Sequence, residues 1–284
     1  MTEKIAVVTG ANSGIGKITS KALLEEGYRI VMICRNPEKA EAAKKEITKE
    51  TGNDRVDILI CDLSDMNQIR QTVTKIKSNY EQLDRLVNNA GFLPDRNRQE
   101  NQDGIELTLA VNHLAYFLMT FELLPLLEKT PSSRIINVAS EAHRYGEFDP
   151  ANIQLKKGYT ASKAYGNSKL FNMMFTFQLN KELKDKDITT YSLHPGVVNT
   201  NFAAESNSLF AKFFNLGRFF MMSPEKGAQT SIYLCAEPGI GKHSGKYFSK
   251  SKLTKPNKRA ATDDQKCKKL WEISEELLNV SRRR

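Results

Sequence analysis

Two pairs of a tyrosine and a lysine four positions apart occur in the segment YTASKAYGNSK at residues 159–169. The pairs are Tyr159 with Lys163 and Tyr165 with Lys169. Side chains at i and i+4 lie on one face of a helix, so either pair would bring a phenol beside an ammonium. An ammonium stabilises phenolate and lowers the tyrosine pKa from about 10, which prepares the phenol for proton transfer. Six residues rotate the face of a helix by about 240°, so only one pair can face a site.

A glycine-rich turn, TGANSGIGK at residues 9–17, follows the first apolar run of the chain, KIAVVTG. Gly10, Gly14 and Gly16 lie between this predicted strand and the next helix. A pyrophosphate can bind in such a turn, where the N–H groups of the helix N-terminus are free. The turn therefore predicts a dinucleotide or nucleotide cofactor.

The end of the second apolar run, VMICRNPEK, has Arg35 and no acidic residue before Glu38. A guanidinium at this point can bind the 2′-phosphate of a cofactor through paired hydrogen bonds, and Lys17 beside the glycine turn would add a second positive charge. These residues favour NADP(H) over NAD(H). The alternative is that Arg35 is a solvated loop residue.

Short β-branched apolar runs alternate with helical stretches, which predicts a parallel sheet covered on both faces. The predicted strands are residues 4–10, 29–35, 56–63, 84–91, 134–140 and 188–196, with a weaker seventh at 246–249. No repeat or Pro/Ser-rich linker divides the chain. We therefore predict an α/β fold, a single Rossmann-type doubly wound domain with a mostly parallel sheet of about seven strands. Its predicted bounds are 1–250, and a basic C-terminal extension with one helix follows at 251–284.

The composition, 40% hydrophobic and 26% charged, is ordinary for a globular protein. The four cysteines lack C-x-x-C spacing and the four histidines lack metal-ligand spacing, so neither disulfides nor a metal site is predicted. The chain begins with polar residues and has no stretch of about 18 uninterrupted apolar residues. We therefore expect a cytoplasmic protein without a signal peptide or membrane anchor.

The net charge of +9 is concentrated near the C-terminus, where residues 250–284 contain eleven Lys or Arg and five Asp or Glu. Only one aromatic residue, Trp271, accompanies these charges, so nucleic-acid binding is not predicted. A solvated basic tail is the first interpretation. Weak contact with an anionic membrane surface is the alternative, with a helix that starts at a capping box from Thr262 to Gln265.

Five motifs occur together in one order: TGANSGIG, NNAG (88–91), a strand that ends in Ser140, a Tyr-x-x-x-Lys helix and HPG (194–196). From residue 4 to about residue 249, this pattern resembles the short-chain dehydrogenase/reductase family of one-domain Rossmann-type oxidoreductases. The helix sequence AYGNSKLFNMMF and the gap of 25 residues from Ser140 to Tyr165 resemble the retinol-dehydrogenase-like branch. Glu182, thirteen residues after Lys169, also matches the family's helix length, so Tyr165 and Lys169 are the predicted pair and Tyr159 lies on the approach to the helix.

The resemblance implies roles for particular residues. Tyr165 would transfer the proton, and Ser140 would bind the substrate oxygen. Lys169 would lower the pKa of Tyr165 and hold the nicotinamide ribose. Asn112 matches a fourth catalytic residue that supports a water-linked proton path, although alone it would be interpreted as a satisfied buried amide. The implied cofactor-binding residues are Gly10, Asn12, Ser13, Gly14, Ile15, Gly16, Lys17, Arg35, Asp62, Leu63, Asn89, Ala90, Gly91, Tyr165, Lys169, Pro195, Gly196, Val198 and Thr200.

The segment NSLFAKFFNLGRFFMMSPEK (207–226) is mostly apolar and follows the sixth predicted strand, where substrate loops of such folds usually lie. We predict a lid at 200–224 over an apolar pocket, and hence a lipophilic carbonyl or alcohol as substrate. The first alternative is a non-catalytic NADPH-binding regulatory or interaction protein. The second is a protochlorophyllide-reductase-like enzyme. A homo-oligomer is compatible with each of these functions.

Overall fold

A single eight-stranded sheet runs through the computed structural model, which describes residues 3–196, 198 and 222–280. The strand order is β3-β2-β1-β4-β5-β6-β7-β8; all neighbours pair in parallel except β7 and β8, which are antiparallel. The strands are β1 Lys4–Thr9, β2 Tyr28–Cys34, β3 Val56–Ile60, β4 Arg85–Asn88, β5 Ser133–Val138, β6 Ile188–His194, β7 Tyr247–Ser249 and β8 Lys252–Thr254. The predicted doubly wound α/β class is confirmed, and β8 is added to the seven strands that the sequence predicted.

Helices cover both faces of this sheet. They are α1 Gly14–Glu25, α2 Pro37–Thr51, α3 Met66–Asn79, α4 Leu107–Leu127, α5 Ala161–Glu182, α6 Pro224–Ala236 and α7 Asp264–Leu278. Alternate residues of β1 divide between two buried clusters: Ile5 and Val7 pack with α3, α4, α5 and α7, and Ala6 and Val8 pack with α1, α2 and α6. Strands that are apolar throughout are therefore explained by burial on both faces.

Helix α4 is long and apolar enough to cross a membrane by length and composition, but 78% of its most apolar window is buried inside the fold. That burial is typical of a core helix. Its turn at Ala110–Leu114 is widened into a π-helical segment, a feature often found at functional sites. Asn112 lies in this segment.

The C-terminal extension is not the solvated tail of our first interpretation. Its strand β8 joins the sheet, and α7 buries Cys267, Leu270, Trp271 and Leu278 in the same core cluster as α5. The ring of Trp271 lies 4.7 Å from that of Phe117, centroid to centroid. Apolar residues three or four positions apart give α7 one buried face, and the charged residues between them lie on the other, solvated face. Its N-cap is Asp263, which accepts from Lys266 N, rather than the predicted Thr262.

Two sequence predictions fall outside the described residues. Thr200 is one of them, and the other is almost the whole predicted lid, of which the structure describes only residues 222–224.

Candidate active site

The glycine turn after β1 has a backbone that requires glycine. Gly10 has a φ of +65° and Gly14 a φ of +52°, in the left-handed region that other residues rarely adopt. A Cβ on Gly16 would press against the Gly10 carbonyl oxygen and lie 2.6 Å from Asn89 Nδ2. Asn89 in turn donates from Nδ2 to the Thr9 carbonyl oxygen at 2.8 Å, so the turn and the end of β4 form one unit. Because these glycines carry no side chain, a pyrophosphate can reach the backbone N–H groups at the start of α1.

A cavity of about 1080 Å³ opens at the carboxyl ends of the parallel strands. Ligands of doubly wound sheets bind at this edge. Most of the predicted site residues line the cavity: Gly10, Asn12, Ser13, Gly14, Ile15, Arg35, Asp62, Leu63, Asn89, Ala90, Gly91, Ser140, Tyr165, Lys169, Pro195, Gly196 and Val198. Gly16, Lys17 and Asn112 are not part of its lining.

The catalytic serine, tyrosine and lysine candidates meet inside this cavity. Tyr165 is 8% exposed and its hydroxyl is hydrogen-bonded to the Ser140 side chain. Lys169 Nζ lies 5.6 Å from the centre of the Tyr165 ring, and the lysine is only 2% exposed. The end of β5 brings Ser140 here, and one face of α5 brings the other two residues.

The other Tyr-x-x-x-Lys pair lies outside the cavity lining. Helix α5 begins at Ala161, so Tyr159 precedes the helix and shares no helical face with Lys163. The Tyr159 hydroxyl donates to the Asp95 carbonyl oxygen at 3.3 Å, and Lys163 Nζ forms an ion pair with Glu147 at 3.2 Å. The structure thus brings together Tyr165 and Lys169 with Ser140, and it does not bring the first pair to them.

Burial controls the ionisation of both candidates. It raises the pKa of Tyr165 to about 12, although the hydrogen bond from Ser140 acts in the opposite direction. It lowers the pKa of Lys169 to about 7. The lysine was expected to lower the tyrosine pKa, but desolvation of the phenolate is the larger effect here. At neutral pH Tyr165 is therefore a phenol with a proton to donate.

Asn112 lies behind the cavity wall rather than in it. Its Oδ1 accepts from Phe92 N at 3.0 Å, and its Nδ2 donates to Phe92 O at 3.1 Å and to Ser168 Oγ at 3.3 Å. Phe92 itself lines the cavity. These bonds match the alternative interpretation of a satisfied buried amide, one that holds a cavity-lining backbone in place. The catalytic role of Asn112 stays a prediction.

The end of β2 presents two cations to the cavity. Arg35 and Lys39 are both exposed and both line it. Lys17 instead forms an ion pair with Glu46 at 2.6 Å. Lys39 was not among the predicted residues, although Asn36 followed by proline is a sequence signal for a helix start. Asn36 caps α2 by accepting from Lys39 N at 2.8 Å, which puts Lys39 in the first helical turn after Arg35.

Two further residues that line the cavity, His194 and Tyr145, were not among the predicted catalytic or cofactor-binding residues. His194, the last residue of β6, accepts from Glu141 N through Nδ1 at 3.2 Å, and burial lowers its pKa to about 4. Tyr145, in the short helix after Ser140, lines the cavity while 69% exposed. In the part of the chain that the structure describes, no group of three His, Cys, Asp or Glu could hold a metal ion.

Comparisons with known proteins agree with this fold. The model of the short chain dehydrogenase family matches residues 4–209. Retinol dehydrogenase 11 of Homo sapiens is 39% identical over 277 residues, which cover 98% of this chain and 86% of that protein. Among solved structures, an uncharacterized protein from Mycobacterium Paratuberculosis is 26% identical with a TM-score of 0.78, over 99% of this chain and 95% of its own. A variant of actinorhodin polyketide ketoreductase, solved with NADPH, is 27% identical with a TM-score of 0.67, over 87% and 95% respectively.

The resemblance to the retinol-dehydrogenase-like branch is therefore confirmed over nearly the whole chain. The family model covers well over half of the chain. This protein belongs to the short-chain dehydrogenase family and is an oxidoreductase that transfers hydride between a nicotinamide cofactor and a small C=O or CH–OH compound.

Proposed function

We propose that this protein is an NADP(H)-dependent oxidoreductase that reduces a lipophilic aldehyde or ketone, with Tyr165 as the proton donor. The observation that carries the proposal is that one cavity is lined both by the glycine turn and by Ser140, Tyr165 and Lys169. A nicotinamide cofactor and a carbonyl substrate can therefore meet in the same cavity.

The side chains around Tyr165 suit carbonyl reduction. A nicotinamide cofactor bound here would supply the hydride for the carbonyl carbon. The Ser140 and Tyr165 hydroxyls, already hydrogen-bonded to each other, hold the carbonyl oxygen between them. Tyr165 donates its proton to the oxygen as negative charge develops there, because its raised pKa keeps it protonated at neutral pH. Lys169 binds the nicotinamide ribose and limits the charge that Tyr165 acquires.

The choice of NADP(H) is supported by charge at the end of β2. Arg35 and Lys39 line the cavity there, where an adenosine 2′-phosphate would bind. Glu46 also lines the cavity, but its carboxylate is neutralised by Lys17. The ketoreductase that is 27% identical was solved with NADPH.

A lipophilic substrate is supported by apolar lining residues and by the relatives. Phe92, Leu93, Leu107 and Val111 line the cavity. Several proteins named retinol dehydrogenase are 36–39% identical to this chain, and retinal is a long apolar aldehyde. The lid at 200–224, cytoplasmic residence, anionic membrane contact and a homo-oligomer stay predictions.

The test is to follow NADPH oxidation with retinal, a long-chain aldehyde, a steroid ketone and a short hydrophilic aldehyde. We expect turnover with one or more of the apolar carbonyls, and little with the hydrophilic one. Tyr165→Phe is the control, since it keeps the ring and loses the proton. Turnover that persists in this variant, or NADPH binding without turnover of any carbonyl, would contradict the proposal. The second result would favour the non-catalytic alternative.

A further inference from the structure

Two buried histidines outside the cavity lining each connect the C-terminal extension to the active site. His143 is 0% exposed and lies three residues after Ser140. Its Nδ1 lies 2.8 Å from the Ser140 carbonyl oxygen, and its Nε2 lies 3.2 Å from the backbone nitrogen of Asn257. A carbonyl only accepts and a backbone N–H only donates. The neutral ring must therefore carry its proton on Nδ1.

His113 makes the same kind of bridge and is also 0% exposed. Its Nδ1 lies 3.3 Å from Asn172 Oδ1 and its Nε2 lies 3.1 Å from Ser274 Oγ. Asn172 donates from Nδ2 to the Val138 carbonyl oxygen at 3.2 Å, which fixes the orientation of its amide. Oδ1 then accepts, so Nδ1 of His113 donates.

The Ser274 hydroxyl completes this second bridge. Because Nδ1 of His113 is the donor, Nε2 of the neutral ring is an acceptor for the hydroxyl proton of Ser274. That proton is shared with the Leu270 carbonyl oxygen, 2.8 Å from Ser274 Oγ. Burial lowers the pKa of His113 to about 4 and lowers that of His143 as well, so both rings are neutral at neutral pH. A neutral imidazole can donate and accept at once, as both bridges require.

The bridge through His113 ends on the lysine of the active site. Lys169 Nζ donates at 3.2 Å to the Val138 carbonyl oxygen, the same atom that Asn172 holds. Asn172 is 0% and Ser274 1% exposed, so water does not compete for these bonds. The chain of contacts runs from Ser274 through His113 and Asn172 to the carbonyl on which Lys169 rests.

We propose that the C-terminal extension positions both Ser140 and Lys169 for the reaction, through His143 and His113 respectively. His113, His143, Asn172 and Ser274 are then positioning residues, since none of them lines the cavity. The roles of Ser140 and Lys169 rest on the proposed function. Asn257 and Ser274, which bind the two histidines, belong to the C-terminal extension. The extension lies beyond residues 4–209, the part of the chain that matches the family model.

The kinetic test compares two buried serines on helices. Ser274→Ala removes the hydroxyl that binds His113, and Ser231→Ala is its matched control. Ser231 is 0% exposed, and its hydroxyl has no hydrogen-bond partner among the described residues. We expect Ser274→Ala to lower kcat about two- to tenfold, the value of one hydrogen bond, with KM for the carbonyl unchanged. Ser274→Ala is also expected to lower the unfolding midpoint, because His113 Nε2 loses its buried partner, so kcat is compared at a temperature where both variants are fully folded. Equal kcat in the two folded variants would overturn the inference.

A second measurement does not depend on turnover. Nitrogen-15 NMR of the imidazole rings distinguishes the two neutral tautomers, and we expect the Nδ1–H tautomer for both His113 and His143. The Nε2–H tautomer on either ring would rule out its bridge. Wild-type protein with both expected tautomers but no activity on any carbonyl would overturn the proposed function and leave the two bridges standing. Activity on a carbonyl together with the Nε2–H tautomer would overturn that bridge and leave the proposed function standing.

Discussion

Burial determines how the two central residues of the active site ionise. Tyr165, with its pKa raised to about 12, is a phenol throughout the neutral range, and this protonation state serves reduction. Oxidation of the alcohol needs the phenolate and is disfavoured at the same pH. Lys169, with its pKa lowered to about 7, is near its midpoint under the same conditions. The lysine is therefore the residue whose charge changes with pH in this range.

The pH profile of reduction should report that change. Because the pKa of Lys169 is lowered, its ammonium form is present below about pH 7 and is lost as pH rises. We expect kcat/KM for carbonyl reduction to fall with a midpoint near that value. Lys169→Arg should retain less activity but lose the dependence, since a guanidinium does not titrate there. A wild-type profile that is flat through neutral pH would contradict this assignment.

Removing the proton donor should separate the two tyrosines. Tyr165→Phe is expected to lower kcat by about 10²–10⁴-fold, the usual value of general acid catalysis, while NADPH still binds. Tyr159→Phe loses the hydrogen bond to the Asp95 carbonyl and should keep most of kcat. Single-turnover kinetics with both variants are the measurement. If Tyr159→Phe is the inactive variant, the catalytic assignment moves to the first pair.

Cofactor preference should depend on Lys39 and Arg35 rather than on Lys17. Lys39→Ala removes a cation that lines the cavity, and we expect KM for NADPH to rise roughly tenfold with KM for NADH unchanged. Arg35→Asp should go further and favour NADH. Lys17→Ala is the comparison variant, because Lys17 does not line the cavity and its charge is paired with Glu46. A larger effect from Lys17→Ala would reinstate Lys17 as the second phosphate-binding cation.

At the scale of elements, the strands and the glycine turn were predictable because their signals are local. Apolar β-branched runs marked β1 to β6, whereas the candidate pair on α5 was selected by its resemblance to the family, in which the spacing from Lys169 to Glu182 is usual. Strand β8 was missed because all three of its residues are exposed and carry no apolar pattern. The ion pair between Lys17 and Glu46 was missed because it joins side chains 29 residues apart.

The turn between β1 and α1 should tolerate no side chain at Gly16. A methyl group there would press against the Gly10 carbonyl oxygen, which belongs to the backbone and cannot move away cheaply. We expect Gly16→Ala to weaken NADPH binding by about tenfold or more, measured by the fluorescence of bound NADPH. Gly241→Ala is the control, since its nearest neighbour to a new Cβ is Thr189 Cγ2 at 3.8 Å. Equal NADPH affinity in the two variants would show that the turn is looser than this contact implies.

At the scale of the whole molecule, the C-terminal extension is part of the domain rather than an appendage. Trp271 is 7% exposed and packs between Phe117 of α4 and Phe175 of α5, with its ring stacked on Phe175 at 5.9 Å. Helix α5 carries Tyr165 and Lys169 as well as Phe175, so the helix that Trp271 packs against also positions the candidate pair. The composition of residues 250–284 suggested a tail because charge dominates it. The positions that fold it, Cys267, Leu270, Trp271 and Leu278, are visible only as one helical face.

Stability should therefore depend on the extension. Trp271→Ala would leave a cavity between α4, α5 and α7, and we expect a loss of about 3–5 kcal/mol in the free energy of unfolding, measured by urea denaturation. Lys268→Ala, an exposed position on the same helix, should change the unfolding free energy by less than about 0.5 kcal/mol. Near-equal stability of the two variants would mean that α7 packs too loosely to hold α5.

Truncation after Ser249 would remove this packing as well as the basic charge. Anionic vesicle binding is therefore better tested by replacing the exposed lysines of α7 with glutamate than by deleting the extension.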